Sequence, residues 1–317
     1  MFVGDDYEIK NGVLMGYKGE SSDIIIPEGV IAIAEGAFIY PKEDMMMNDF
    51  LASIGLKSIY EHRSYARITG ITVPVSLALI NKRIFTRNSY DVTDIYVKDL
   101  SAWCKIKGLV SFMIEPDDER TDSLPSIWCE KHLHLNDSIV KNLVIPNSVT
   151  VIEDYAFCGF SDIVNVIFPH SLMSIGSSAF SYCGGLTSIT FPNNVMSIGS
   201  HALQECKNLS EVVLPNSLIL IEDGVFSHCS KLTNIIIPDG VRSIGKHAFI
   251  FCKELSSVII PCSVQFIGDA AFCFCVKLKI IQYKGTKNQW NQINKCSRWN
   301  YKSIATEVSC LDGVVEL

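Results

Sequence analysis

Proline recurs every 23 residues through the second half of the chain. Six prolines keep this spacing, and phenylalanine or leucine lies eleven residues after each of them. The prolines are Pro146, Pro169, Pro192, Pro215, Pro238 and Pro261. Cysteines repeat with the same period, at Cys183, Cys206, Cys229, Cys252 and Cys275. A unit this small cannot bury its apolar face alone, so a fixed period of this length predicts units stacked into a continuous core.

The unit that begins at Leu232 shows how one repeat folds. Leu232–Ile237 alternates and is rich in β-branched residues, which predicts a short strand. Pro238 cannot donate to a β-ladder and ends that strand. Val241–Ile244 predicts a second extended piece, Ala248–Phe249 a short helical turn, and Cys252 a side chain buried at the bend. The predicted fold class is a β-rich solenoid of 23-residue units, with short parallel strands and short helical turns.

Weaker copies of the repeat precede residue 90. Ile24–Pro27 leads to Ala37–Phe38, and Ile71–Pro74 leads to Ile84–Phe85 at the same offset. Residues 41–70 exceed one period, which predicts an insertion or a degenerate repeat there.

A second pattern occurs twice outside the regular units. A strand is followed by tryptophan and isoleucine three residues apart, first as Trp103 and Ile106 and again as Trp290 and Ile293. This spacing predicts one face of a short helix. Thr286 with Gln289 predicts a capping box for the second helix.

Each of these helices is followed by a hairpin pattern, at residues 133–140 and 308–315. We therefore expect helix-hairpin modules in the middle of the chain and at its C-terminus, where they would cover exposed repeat ends. The predicted organisation is degenerate repeats over 1–90, a joining module over 91–140, the regular array over 141–283 and a C-terminal cap over 284–317.

The repeat resembles a known family. Its Ile-Pro-Asn-Ser-Val and Ala-Phe-x-x-Cys blocks are similar to the BspA-type (Treponema pallidum-type) leucine-rich repeat, strongly over 141–283 and more weakly over 7–40 and 71–86. The resemblance implies a surface or secreted protein of host-associated microbes that binds other proteins, often adhesively. Leucine-rich repeats carry many unrelated functions, so the repeat itself identifies no partner.

Composition excludes several classes of function. Hydrophobic residues make up 48% and charged residues 19%, which is too apolar for a disordered chain. A net charge of −7 is unfavourable for binding nucleic acid or an anionic membrane. No stretch is long and apolar enough to predict a membrane span. The first residues do not resemble a signal peptide, so we expect a cytoplasmic protein as written, or a surface or secreted one if a leader is missing.

Motifs for catalysis or for a bound cofactor are absent from the sequence. We therefore expect a protein that is not an enzyme and has no cofactor, unless an unrecognised constellation is present. His132 and His134 alternate near Cys129, but a fourth zinc ligand is not evident, so no metal site is predicted. Residues 115–122 are charged and turn-rich, which predicts a surface loop.

The cysteines are predicted to form a buried, unpaired column, because free cysteine behaves as a small hydrophobe. Cys262 takes a turn position and is predicted to be the most exposed thiol. Four histidines fall at outward repeat positions and are predicted to lie on the surface: His170, His201, His228 and His247.

The outward positions of the main strands form the candidate binding surface. One column is Ile167, Thr190, Val213, Ile236, Ile259 and Gln282. The flanking column is Asn165, Ser188, Glu211, Asn234, Ser257 and Ile280. The apolar residues can reflect strand propensity alone, or they can form a protein-docking surface.

Two functional hypotheses follow. The first is an extracellular, adhesin-like binder of host or microbial proteins. The second is an intracellular interaction scaffold or regulator, and an enzyme is the remote third. We expect a monomer that binds a protein partner whose identity the sequence does not give.

Overall fold

The structure is a computed structural model that describes residues 6–19, 21–38, 68–81, 92–110 and 130–317. Most of the predicted insertion over 41–70, the Ile84–Phe85 pair, the loop over 115–122 and Cys129 lie outside the described residues. The chain divides into two compact units. The first holds the described residues up to Lys98, with 106–110 and 134–137, and the second holds 99–105, 130–133 and everything from Ser138.

The first unit is built from short strands. They are β1 (Tyr7–Lys10), β2 (Val13–Tyr17), β3 (Asp23–Ile25), β4 (Ala32–Ile33), β5 (Gly70–Val73), β6 (Leu79–Ile80) and β7 (Asp94–Val97). β1 and β2 are antiparallel, and β2, β4 and β6 continue the sheet in parallel. β3, β5 and β7 pair in parallel and in register. The two parallel ladders are the pattern that the weak repeats predict.

Helix α1 (Leu100–Trp103) and strands β8 (His132–Leu135) and β9 (Ser138–Ile139) follow in the chain. Asn136 and Asp137 have φ of 50° and 61° and turn the chain between β8 and β9. The side chain of Asp99 accepts hydrogen bonds from the backbone N–H groups of Ser101 and Ala102, which caps α1.

In the second unit each repeat, called a rung below, contributes a first and a second strand. The first strands are β10 (Asn142–Val144), β12 (Asn165–Ile167), β14 (Ser188–Thr190), β16 (Glu211–Val213), β18 (Asn234–Ile236), β20 (Ser257–Ile260), β22 (Ile280–Tyr283) and β24 (Glu307–Cys310), with β25 (Gly313–Glu316) at the edge. The second strands are β11 (Val151–Ile152), β13 (Ser174–Ile175), β15 (Ser197–Ile198), β17 (Leu220–Ile221), β19 (Ser243–Ile244), β21 (Phe266–Ile267) and β23 (Asn294–Lys295). From β10 to β22, paired strands of successive rungs are parallel and 23 residues apart, as in Asn234↔Ser257. The predicted solenoid is therefore observed.

The predicted helical turn at each Ala-Phe pair is wrong. The corner is a series of turns in which the residue before alanine has a left-handed backbone, as in Tyr155 (φ 61°) and His247 (φ 57°). Left-handed residues interrupt a right-handed helix. Alternate N–H groups then bond to the next rung instead, as Phe249 N–H does to Ala271 O at 2.8 Å.

Glycine at the inner corner allows the rungs to approach closely. A Cβ on Gly245 would lie 2.7 Å from the backbone nitrogen of Asp223 in the preceding rung. That is closer than a side-chain carbon can approach, so glycine is required there for stacking.

The core is a set of residue columns that run from rung to rung. Phe226, Phe249 and Phe272 stack with centroids 5.2 and 5.0 Å apart. Beside them each cysteine thiol donates a hydrogen bond to a backbone carbonyl, as Cys229 Sγ does to Leu203 O at 3.2 Å. Such ring pairs add roughly 0.5–1.5 kcal/mol beyond the area they bury.

Residues 284–317 continue the solenoid rather than only covering it. Helix α2 (Lys287–Gln292) has the predicted capping box between Thr286 and Gln289. β23 then pairs in parallel with β21, and β24 pairs in parallel with β22 and antiparallel with β25. Trp299 contacts the last ring of the phenylalanine column, Phe272, edge to face at 6.1 Å. The chain thus completes one further turn that the 23-residue period did not predict.

Each of the two strand-and-helix patterns has an ion pair at the equivalent position. Lys98 Nζ lies 3.0 Å from Glu28 Oε1, and Lys284 Nζ lies 2.8 Å from Asp239 Oδ1. Each acid follows a repeat proline, Pro27 or Pro238. Trp103 and Trp290 are both buried, whereas α1 ends at Trp103 and α2 ends before Ile293, so the isoleucines lie outside the helices.

Within the described residues, no helix has both the length and the apolar character needed to cross a bilayer.

Candidate protein-binding surface

The outward residues of the first strands form a surface that we call the strand face. It comprises the two predicted columns, Ile167 to Gln282 and Asn165 to Ile280. The register places Thr190 beside Val213, Ile236 beside Ile259 and Ile259 beside Gln282. The structure thus brings neighbouring members together across paired strands, but not between β12 and β14 or between β16 and β18, which are unpaired.

The main column is exposed, as the alternation predicts. Ile167, Val213 and Ile236 are 53%, 56% and 58% exposed, and Thr190 and Gln282 are also exposed. Ile259 differs because it is only half-exposed. The structure adds Val144, which is 54% exposed and pairs with Ile167, so the apolar column begins one rung earlier than the sequence analysis placed it.

The flanking column is polar and varies in exposure. Asn165, Ser188 and Ser257 are half-buried, whereas Glu211, Asn234 and Ile280 are exposed. Glu211 carries the only charge in this column, and among the described residues it has no ion-pair partner. The strand face is therefore an aliphatic strip with one free carboxylate beside it.

A groove opens in the strand face between β16 and β18. These neighbouring strands belong to different sheets, since β16 pairs with β14 and β18 with β20. The groove has a volume of about 480 Å³, and Val213 and Ile236 lie on its two sides. Its position in the centre of the strand face was not predicted.

A second exposed apolar strip precedes the second strands. Met173, Met196 and Ile219 are 45%, 56% and 60% exposed and occupy the same position in consecutive rungs. The 23-residue period also reveals this strip in the sequence, when the residues before the second strands are aligned in the same way as the outward residues of the first strands.

The cysteine column is buried and unpaired, which confirms the prediction. Cys183, Cys206, Cys229 and Cys252 are free and fully buried, whereas Cys262 is exposed. Burial raises the pKa of Cys252 well above its ordinary value, and burial raises the pKa of Cys275 to about 12. These thiols are therefore protonated and poorly nucleophilic near neutral pH.

The histidines are less exposed than predicted, with the exception of His170. His201, His228 and His247 are half-buried and have φ of 60°, 62° and 57°. His228 stacks on Phe251 with centroids 4.7 Å apart, because the left-handed corner lays its ring along the next rung. Burial lowers the pKa of His228, and Glu205 beside it opposes that shift.

His132 and His134 each contact a carboxylate. His132 Nδ1 contacts Asp162 Oδ2, while His134 Nε2 lies 2.6 Å from Asp94 Oδ1 and its ring stacks on Tyr96. In the part of the chain that the structure describes, no three His, Cys, Asp or Glu residues are grouped so that they could hold a metal ion.

Comparison with known proteins gives the family. The profile described as BspA type leucine rich repeat region matches six copies over residues 131–235 and 174–305, which together span more than half of the chain. No curated protein matches the chain.

Three solved structures are similar. The leucine rich repeat protein of T. pallidum is 34% identical, with 44% of this chain and 68% of that chain covered and a TM-score of 0.44. A leucine-rich repeat protein from Eubacterium ventriosum is 18% identical, with 92% and 69% covered and a TM-score of 0.59. One from Bacteroides ovatus is 20% identical, with 98% and 76% covered and a TM-score of 0.50. Because the matching profile covers more than half of its length, the chain belongs to the BspA type leucine-rich repeat family.

Proposed function

We propose that this chain is a non-catalytic protein-binding protein whose partner docks on the strand face. The observation that carries the proposal is the exposure of Val213 and Ile236, which are aliphatic at outward positions of consecutive rungs. Strand propensity alone could be met by threonine, as Thr190 shows one rung earlier. Contiguous exposed apolar patches of this kind often mark protein-binding sites.

The surroundings of the column support a protein as the partner. The apolar strip runs along several rungs and has polar side chains beside it, as in interfaces with an apolar centre and a polar rim. We further propose an adhesin-like role at the cell surface or after secretion. An intracellular scaffold is the second candidate, because eleven cysteines are free in the described residues, as is usual in reducing compartments.

In this proposal the segments around Trp103 and Trp290 act as caps. Trp103 Nε1 donates to Ala156 O at 2.7 Å, and Trp290 packs on Tyr283 and Trp299. Each covers rungs that would otherwise expose apolar surface. The regular array over 141–283 is then the part that presents the strand face.

Capture of the partner tests the proposal. The separate variants Ile236→Asp and Ile259→Lys should retain the wild-type circular dichroism spectrum and unfolding midpoint, because both side chains are at least partly outward. Each should abolish capture of the protein that the wild-type chain recovers from host or bacterial lysate, since a charge at the centre of an interface is strongly disruptive.

Met196→Asp is the matched control. It places the same charge at a side chain that is 56% exposed, compared with 58% for Ile236, but on the strip before the second strands. Capture that survives Ile236→Asp and fails with Met196→Asp would place the partner on that strip and contradict the proposal.

A further inference from the structure

The groove lies at one of two interruptions of the first-strand ladder in the described second unit, one between β12 and β14 and this one between β16 and β18. Phe191 N–H bonds to Val213 O and Ile237 N–H bonds to Ile259 O, both at 3.0 Å. In this described region no backbone bond joins Leu214 to Ile236, which occupy the corresponding positions across the groove. The ladder is therefore interrupted where the two strands face each other.

Of the two interruptions, this one has part of the core exposed beside it. At the inward position of the first strands, Val166, Ile189, Ile235 and Val258 are buried, whereas Val212 is partly exposed. Val212 lines the groove together with Val213, Ile236 and Pro238. The floor and walls are thus aliphatic, and a side chain that entered would remove this apolar surface from water.

The rim of the groove is polar and acidic. Glu211 and Asn216 line it, and both are exposed. A carboxylate without an ion-pair partner favours a cation at this point, and an amide can bond to the backbone of a bound chain. The volume of about 480 Å³ lies within the usual range of roughly 300–1,000 Å³ for ligand pockets.

We infer that this groove binds an extended segment of a partner protein through one aliphatic or aromatic side chain that lies next to a lysine or arginine. The inference rests on the proposed function, because the groove forms the centre of the strand face. The apolar side chain fills the space above Val212, and the basic side chain pairs with Glu211. The acidic net charge of the chain, −7, favours a basic partner at longer range as well.

A random linear peptide library, selected on the immobilised full chain, tests this inference. Wild-type protein should enrich peptides in which an apolar residue lies next to lysine or arginine. Selection on the Glu211→Lys variant should instead enrich peptides in which aspartate or glutamate lies next to the apolar residue.

A synthetic peptide of the wild-type consensus should lose at least about 30-fold in affinity with Val213→Asp, as for a central anchor. It should lose about fivefold with Glu211→Lys, as for an exposed ion pair.

Met196→Asp is the control and should change the affinity of that peptide less than twofold. Absence of enriched peptides, or a preference that Glu211→Lys leaves unchanged, overturns the inference. Concentration-dependent self-association that Val213→Asp abolishes would make a second copy of this chain the occupant, which also contradicts it.

The experiment distinguishes a wrong inference about the groove from a wrong proposed function. Ile167 lies two rungs from Val213 on the same face and does not line the groove. If no peptide is selected but Ile167→Asp still abolishes capture of the lysate partner, the strand face binds a protein without using the groove.

Discussion

At the scale of the residue, the repeated cysteine has a more specific role than filling space. Cys183, Cys206, Cys252 and Cys275 donate to the carbonyls of Phe157, Phe180, Phe226 and Phe249, each at 3.0–3.1 Å. The carbonyls of Phe180, Phe226 and Phe249 also accept a backbone N–H, at 3.1–3.3 Å, so the thiol is their second donor. Cysteine thus adds a weak donor on a small side chain that is otherwise apolar, which alanine at the same position would lack.

Thiol labelling tests the arrangement. We expect Cys262 to react first with a thiol reagent at mildly alkaline pH, because it is exposed. Cys296 and Cys310, which are half-buried, should react more slowly. The buried column should react only in denaturant, since burial raises the pKa of Cys229 and excludes the reagent. Mass spectrometry of the labelled peptides gives the order, and rapid labelling of Cys229 in native protein would contradict it.

The sequence could predict the burial of these cysteines but not their partners. A fixed period establishes that equivalent residues stack, and apolar neighbours establish which side is inward. The carbonyl that each thiol meets depends on corner geometry, in which residues such as His228 adopt φ near 60°. Non-glycine residues rarely adopt that conformation, so neither the corner nor the half-burial of the histidines follows from their residue types.

At the scale of the element, the segment after β22 is the clearest departure from the period. Trp299 follows Phe272 by 27 residues instead of 23, because α2 is inserted between the two strands of this turn. The inserted residues conceal the repeat in the sequence, although β23 and β24 still pair with the rung before them. The capping box was predictable because it depends on residues three apart in the chain.

Trp290 connects this last turn to the array. Its ring packs on Tyr283 at 5.3 Å and on Trp299 at 5.8 Å, and Lys295 Nζ lies 4.8 Å from its centroid. Trp290→Ala should reduce the free energy of unfolding by about 3–5 kcal/mol, as for a fully buried aromatic. Denaturant unfolding followed by circular dichroism measures the loss. Trp290→Phe, which keeps a ring in place, should lose much less.

A loss below about 1 kcal/mol for Trp290→Ala, typical of a surface substitution, would show that residues 284–317 are an appendage instead of a structural turn.

At the scale of the whole molecule, the 23-residue period predicts the regular array but not the places where the array departs from regular stacking. It predicts which residues face outward, so most members of the strand face are placed correctly. It cannot predict the groove, because Val212 has the same residue type as Val166 and Val258, which are buried at the equivalent position. The first-strand ladder breaks between β12 and β14 as well, but only the break between β16 and β18 has a partly exposed inward residue beside it. That exposure depends on how two particular rungs stack, and only the structure reveals it.

The second unit begins before its regular repeats. Trp103 Nε1 donates to Ala156 O, its ring meets Phe160 edge to face at 6.4 Å, and Glu153 N–H donates to Cys104 O at 2.9 Å. In a stacked array, stability is nearly a sum over neighbouring repeats, so loss of a terminal contact weakens the rungs beside it. A fragment of residues 99–317 should therefore be more stable than one of residues 141–317.

We expect the midpoint of thermal unfolding of the 141–317 fragment to lie at least about 6 °C below that of the 99–317 fragment. This follows from a loss of about 3 kcal/mol for a buried tryptophan and about 2 °C per kcal/mol in a unit of this size. Trp103→Ala in the longer fragment is the control, because it should remove most of the difference while keeping the chain length. If the shorter fragment were equally stable, the array would need no cap at this end, since its first rung would tolerate the exposure of Ala156 and Phe160.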